Sequence, residues 1–371
     1  MQNKIENIAS LNIIRAITAL IIVVYHAKFI LWCGGSAFLN NIGLKSWLDY
    51  PFFALDMLSS NGEPIVVCFF ILSGFVITHS YRKSNYSNFK FYLIRFSRIY
   101  IPFLNSILIS ILAIVFAFYV NPKLFNLNIR EYNTRLVYAW NNLNMTTFFQ
   151  SFFLTKEKEY IGLNFVYWSL LHEVVFYFIY PLYNVIKSKG RILLFMLMTI
   201  LFLITKNSLI YYQLYFLIGI FIYDFFTLQK QNKTIVNSKF LNLLLIGVFY
   251  LLMTISFIKE WKITADIFST LMSLFAFDYL LTHIKKPNKY LSQLSNFSYT
   301  LYLNHLAVLL ILYAVFSKLL NKEIFFERQY YYLGVILSVY ICKYLFYAEK
   351  LSLILIQKLK NTFSTSQNIK E

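Results

Sequence analysis

A few ionisable side chains stand inside long apolar runs, and they are the groups with chemistry to offer. Arg15 and His26 lie eleven residues apart in one run. On a helix that is about 1100°, about 20° from perfect alignment, so both share a face, with His26 roughly 16 Å further along. Imidazole titrates near neutrality and suits proton transfer. The plainer account is a core histidine and an arginine snorkelling to headgroups, but the shared face points to function for the pair. Glu173 lies two turns into another run, Tyr167-Trp168-Ser169-Leu170-Leu171-His172-Glu173. Counting from span ends puts His26 about 10 Å and Glu173 roughly 12 Å below one interface. A carboxylate at that depth would orient the imidazole; a hydrogen bond to a neighbouring helix explains it more simply. Arg95 and Arg98 are spaced by three, hence on one helix face, and planar guanidinium forks suit phosphate. Alone, they read as topogenic charge. Tyr299, Tyr302 and His305 follow at i, i+3 and i+6, which a packing seam explains equally well. Ser73-Gly74 is a small-residue notch for close helix approach. His79, His172, His283, Asp224 and Asp278 carry weaker signals.

The elements that must hold these groups are membrane helices. Of 371 residues, 59% are hydrophobic and only 13% charged, whereas a soluble domain is nearer half apolar and a quarter charged. An all-α, polytopic transmembrane bundle follows. Ten runs read as spans: Leu11–Cys33, Pro64–Ser80, Ile99–Val120, Phe165–Ile186, Ile192–Thr205, Leu209–Leu228, Phe240–Ile258, Ile263–Thr282, Ser298–Phe316 and Tyr332–Ile356. The fifth is short for a crossing. The first, followed by many others and lacking a small-residue cleavage site, reads as a retained anchor. The net charge of +18 is spread between runs as topogenic charge, not gathered for nucleic acid.

Orientation follows the Lys/Arg excess. It puts Arg82, Lys83, Lys90, Arg95, Arg98, Lys187, Lys189, Arg191, Lys230, Lys233, Lys239, Lys285, Lys286 and Lys289 inside, with both termini cytoplasmic. The opposite loops dilute their Lys and Arg with acids, among them Asp49, Asp56, Glu63, Glu131, Glu157, Glu159, Glu260, Glu323 and Glu327. The expected organisation is one integral membrane domain over 1–360 and a polar cytoplasmic tail over 361–371. Cys33, Cys68 and Cys342 form no close pair, so neither a disulfide framework nor a CxxC site is indicated. A phosphate-binding Gly-x-x-x-x-Gly-Lys-Ser/Thr loop, an HExxH pair and a Gly-x-Ser-x-Gly elbow are absent. No metal is expected.

In order, five segments resemble those of the acyltransferase 3 family of integral membrane O-acyltransferases. Leu11–His26 resembles its Arg-x10-His signature and Phe69–Ile77 its FFxLSGFxI segment. Arg95–Pro102 resembles RxxRIxP, Trp168–Pro181 resembles WSLxxExxFYxxxP, and Ser298–His305 resembles SYxxYLxH. The resemblance spans about residues 8–350. Asn12 and Val67 stand where acidic residues are common, Pro102 falls one residue late, and Asn304 replaces a usual aromatic.

That resemblance implies transfer of an acyl group, most often acetyl, from cytosolic acyl-CoA to a hydroxyl of a cell-envelope polysaccharide or lipid-linked sugar. The site would be the bacterial cytoplasmic membrane, with membrane lipid around it and no metal cofactor. The donor's phosphates would dock on Arg95 and Arg98, with Arg15 at its phosphopantetheine or the channel mouth. His26 would be the general base, oriented by Glu173. Ser73, Tyr299 or His305 would donate to the oxyanion. Direct transfer and an acyl-histidine intermediate both satisfy these residues. A transporter of an anionic or lipid-linked glycan is the alternative, since embedded Arg, His and Glu also suit a substrate path; against it stands the lack of an inverted repeat. A non-catalytic assembly or sensor protein is a third alternative. The sequence specifies no oligomeric state.

Overall fold

Apolar runs bounded by polar, capping or proline-containing segments become helices throughout. A computed structural model describes residues 8–84, 87–155, 159–228, 234–284 and 288–365. Lys230, Lys233, Lys285, Lys286, Glu157 and the tail beyond Thr365 lie outside them. The described residues contain helices and no strand. In chain order the α-helices are α1 (Ile8–Leu31), α2 (Gly35–Asn41), α3 (Asp49–Leu58), α4 (Gly62–Ser84), α5 (Asn88–Val120), α6 (Glu131–Asn141), α7 (Met145–Phe152) and α8 (Tyr167–Val185). They continue as α9 (Ser188–Thr205), α10 (Ser208–Leu228), α11 (Lys239–Ile258), α12 (Lys262–His283), α13 (Lys289–Asn296), α14 (Ser298–Leu320), α15 (Gln329–Tyr344) and α16 (Tyr347–Thr365). Local chemistry sets several ends. Asn144 accepts from Thr147 N at 2.9 Å to start α7, and Ser238 caps α11 through Leu241 N. Lys206 and Asn321 close α9 and α14 in the left-handed conformation.

Among the described residues, eight helices are long and apolar enough to cross a membrane: α1, α4, α5, α9, α10, α11, α12 and α14. The tenth expected run breaks into α15 and α16, bent by 41°, which pass together. The fifth is longer than its apolar core suggests, because α9 starts at Ser188. The fourth, α8, is a helix but does not qualify by composition. Ser169, His172, Glu173 and several tyrosines lower its hydropathy, and most of its side chains are covered by protein. The expected tail is helical as far as Thr365.

The described residues fall into two units. One holds the residues up to Ile21, Leu58–Phe91 and Leu171–Asn296. Here α4 packs closely on α10, and α11 on α12. The expected notch is the reason for the first contact. A Cβ on Gly74 would lie 2.2 Å from the Phe216 carbonyl oxygen, and one on Gly219 would lie 2.2 Å from that of Ile71. Two backbones approach here as only glycine allows. Gly74→Leu is therefore expected to cost at least about 1–3 kcal/mol by overpacking. Detergent melts of the variant would check this, and an unchanged melting temperature would contradict the packing.

The other unit holds Ile22–Met57, Tyr92–Leu170 and the residues from Phe297 onward. Its polar ties fix the end of α1. Arg130 donates through Nη2 to the carbonyls of Phe29 and Trp32, the latter at 2.9 Å. These are carbonyls that a helix end leaves unpaired. Burial lowers the pKa of this guanidinium, and the Tyr313 phenol opposes the shift. Asp56 is fully buried and accepts from Arg328 Nε at 2.6 Å and from Tyr331 Oη. Lys28 donates to the Asp56 carbonyl. Between α5, α8 and α14, Ser106 Oγ and Asn164 Nδ2 each donate to the Leu303 carbonyl at 2.8 Å. Ser106 also bonds the Tyr167 hydroxyl at 2.8 Å.

Candidate active site

His26 sits in the last third of α1 and is buried. Its ring meets Tyr25 and Phe165 edge-on, with centroids 5.2 and 5.0 Å apart, and His305. The two imidazoles lie within 10° of coplanar with centroids 5.1 Å apart, and His26 Nδ1 is 2.8 Å from His305 Nε2. Rings so separated, yet with nitrogens so close, meet edge to edge in one plane.

The tautomers follow from one further contact. His305 Nδ1 is 2.9 Å from the Leu301 carbonyl oxygen, one turn back in α14. A carbonyl only accepts, so His305 Nδ1 carries the proton. With both rings neutral, His305 Nε2 is then an acceptor, and His26 Nδ1–H donates to it. That leaves a lone pair on His26 Nε2. A helix carbonyl thus orders a chain of two imidazoles and leaves a base at its end.

The contact also sets position. His305 is seven residues past the start of α14 and fifteen before its end. The pair therefore lies about 10 Å along α14 from Ser298. At the end of α1, beyond His26, Arg130 holds the last carbonyls.

The remaining expected residues are placed here within each unit. Ser73 and Glu173 come together: Ser73 Oγ donates to Glu173 Oε1 at 3.4 Å, and Tyr177 Oη donates to the same oxygen. Arg15 is half-buried on α1. Tyr299 Oη donates to the Ile99 carbonyl at 3.4 Å. Both ring nitrogens of His305 are engaged, so no N–H of that ring faces an oxyanion.

Arg95 and Arg98 stand on α5, half-buried. Arg98 pairs with Glu349 at 3.4 Å. Glu349, 1% exposed, also accepts from Thr300 N at 3.0 Å and Thr300 Oγ1 at 2.7 Å. It is a carboxylate cap on the first turn of α14, five residues before His305. The sequence reading missed Glu349, although an acid inside the tenth apolar run was its signal. Arg98→Ala and Glu349→Ala are expected to be non-additive in thermal stability, because they remove the two halves of one ion pair, and Arg98→Ala leaves the buried Glu349 charge behind. Additive losses in a double-mutant cycle would show that the two act separately.

Among the described residues no cluster of His, Cys, Asp and Glu could hold a metal. The arrangement offers base catalysis by an oriented imidazole in a water-poor setting. An acyltransferase domain model matches residues 8–348. No curated protein and no solved structure matches the chain.

Proposed function

Because the chain belongs to the acyltransferase 3 family, which makes it a membrane acyltransferase, we propose that it moves an acyl group, most often acetyl, from cytosolic acyl-CoA to a hydroxyl of a cell-envelope polysaccharide or lipid-linked sugar. The observation that carries the catalytic role is the Leu301–His305–His26 chain, which leaves His26 Nε2 as a base. In this reading the acceptor hydroxyl gives its proton to His26 Nε2 as its oxygen attacks the thioester carbonyl. The tetrahedral species then collapses, the C–S bond breaks, and the proton passes from His26 to the departing coenzyme A thiolate. His305 accepts from His26 Nδ1 throughout and steadies the imidazolium.

Glu173 is proposed to border the acceptor route, with Ser73, whose hydroxyl donates to it, beside it; the orienting of His26 that the resemblance implied for Glu173 falls in this reading to His305. Arg15 and Arg95 are proposed on the donor route, which the positive-inside count puts on the cytoplasmic side of a bacterial inner membrane. Arg98 shares its charge with Glu349, so its proposed role is to hold the start of α14 and only secondarily to meet phosphate.

Mass spectrometry of surface glycans tests the reading. A strain lacking the gene should lose an O-acyl ester, and the wild-type gene should restore it. Glycans unchanged in acylation but changed in location would favour the transporter.

A further inference from the structure

The polar cluster where α4, α8 and α10 end and α9 begins carries more positive charge than its own carboxylate balances. Arg82, in the last turn of α4, bonds Asp224 through Nη1 and Asn184 through Nε, the latter at 2.9 Å. Arg191, in the first turn of α9, approaches the other Asp224 oxygen at 2.8 Å through Nη2. Two guanidinium groups thus bracket one carboxylate. Arg191 is only 6% exposed, yet its Nε and Nη1 are buried with no hydrogen-bond partner. Burying a guanidinium with unused donors is costly, and folded proteins seldom leave it so. Close by, α9 begins at Ser188, and its N-cap residue, Lys187, makes no side-chain capping hydrogen bond. A helix N-terminus of this length favours an anion. On the approach, the Arg82 guanidinium lies over the Tyr223 ring at 5.5 Å, and His79 meets the same ring at 5.9 Å. The Nδ1 of His79 is also buried without a partner.

We propose that Arg82 and Arg191, held by Asp224 at the start of α9, form a binding site for a phosphate group. Phosphate has the charge to offset the excess cation and the oxygens to take the unused guanidinium donors. The residues are distinct from Arg95 and Arg98. A phosphate ester can arrive on a soluble nucleotide or on a lipid headgroup, and the charge count puts this end on the cytoplasmic side, which both reach. The nucleotide source rests on the acyl-CoA reading; the anion site does not.

Equilibrium binding with the purified full chain in neutral nanodiscs separates the cases. One arm titrates adenosine 3′,5′-bisphosphate, with adenosine as the phosphate-free control. The other compares discs with and without phosphatidic acid by thermal shift. Binding should require the phosphate in at least one arm, and the responding arm identifies the source. Arg191→Gln and Arg82→Gln should each weaken it by about tenfold or more. Arg191→Lys should recover only part, because the fork is lost. Should Arg191→Gln fail to fold, Arg82→Gln, at the more exposed arginine, decides alone. No phosphate-dependent response in either arm, or one of equal strength in Arg82→Gln, overturns the site. No acyl group is involved, so a chain using another donor would still pass. Acyl-CoA turnover with no phosphate response here would overturn this site and leave the transfer reading standing.

Discussion

His26→Ala should lose about 10²–10⁴-fold in acyl transfer, the usual cost of removing a general base, while the protein still inserts and accumulates. The loss should fall on turnover more than on donor affinity. His26 Nε2 matters when the acceptor proton moves, whereas the acyl-CoA phosphates are proposed to bind elsewhere. His26→Gln tests the point with less change in packing against Phe165 and His305. Quantified turnover of both purified variants, beside equal yields in the membrane fraction, is the measurement. Wild-type turnover in either variant would remove His26 from the chemistry.

His305→Ala is the second large effect. It leaves the His26 Nδ1 proton without its acceptor 2.8 Å away, so the ring is free to rotate and to switch tautomer. The expected loss is on the order of 10²-fold in kcat. That lies between the costs of losing an orienting partner of a metal-bound histidine and of the serine-protease triad. KM for the acyl-CoA should move little. The conservative test is His305→Gln. Its amide can donate one turn back to Leu301 O, as His305 Nδ1 does, and present its oxygen to His26. Recovery of turnover by Gln, but not by Ala or Phe, distinguishes orientation from packing. Equal defects in all three would mean that His305 only fills space.

Much of this was legible from sequence because it is local. Apolar runs gave the helices. The Arg15–His26 and Tyr299–Tyr302–His305 spacings marked two faces within single helices. The pairing of His26 with His305 was not legible, since it joins residues 279 apart in the chain and no local period encodes such a contact. Depth arithmetic, counted from the expected ends of the first and fourth spans, pointed to Glu173 and carried no information on a partner from α14. The cap on α1 was hidden too: Arg130 binds its last carbonyls, and from sequence it is one more loop charge. Asp56 was missed for the same reason, counted with loop acids yet fully buried between Arg328 and Tyr331. Gly74 was read correctly as a packing notch, since small residues signal close approach wherever they sit on a membrane helix.

The central claim is that acyl-CoA is the donor and that its acyl group leaves through chemistry at His26. Purified protein in proteoliposomes, given acyl-labelled acetyl-CoA and a surface glycan extract, tests it most directly. The account predicts ester-linked label on the glycan, with one coenzyme A thiol released per ester, and neither product with His26→Ala. Label that crosses the bilayer still attached to coenzyme A, or ester formation that persists undiminished in His26→Ala, would contradict it.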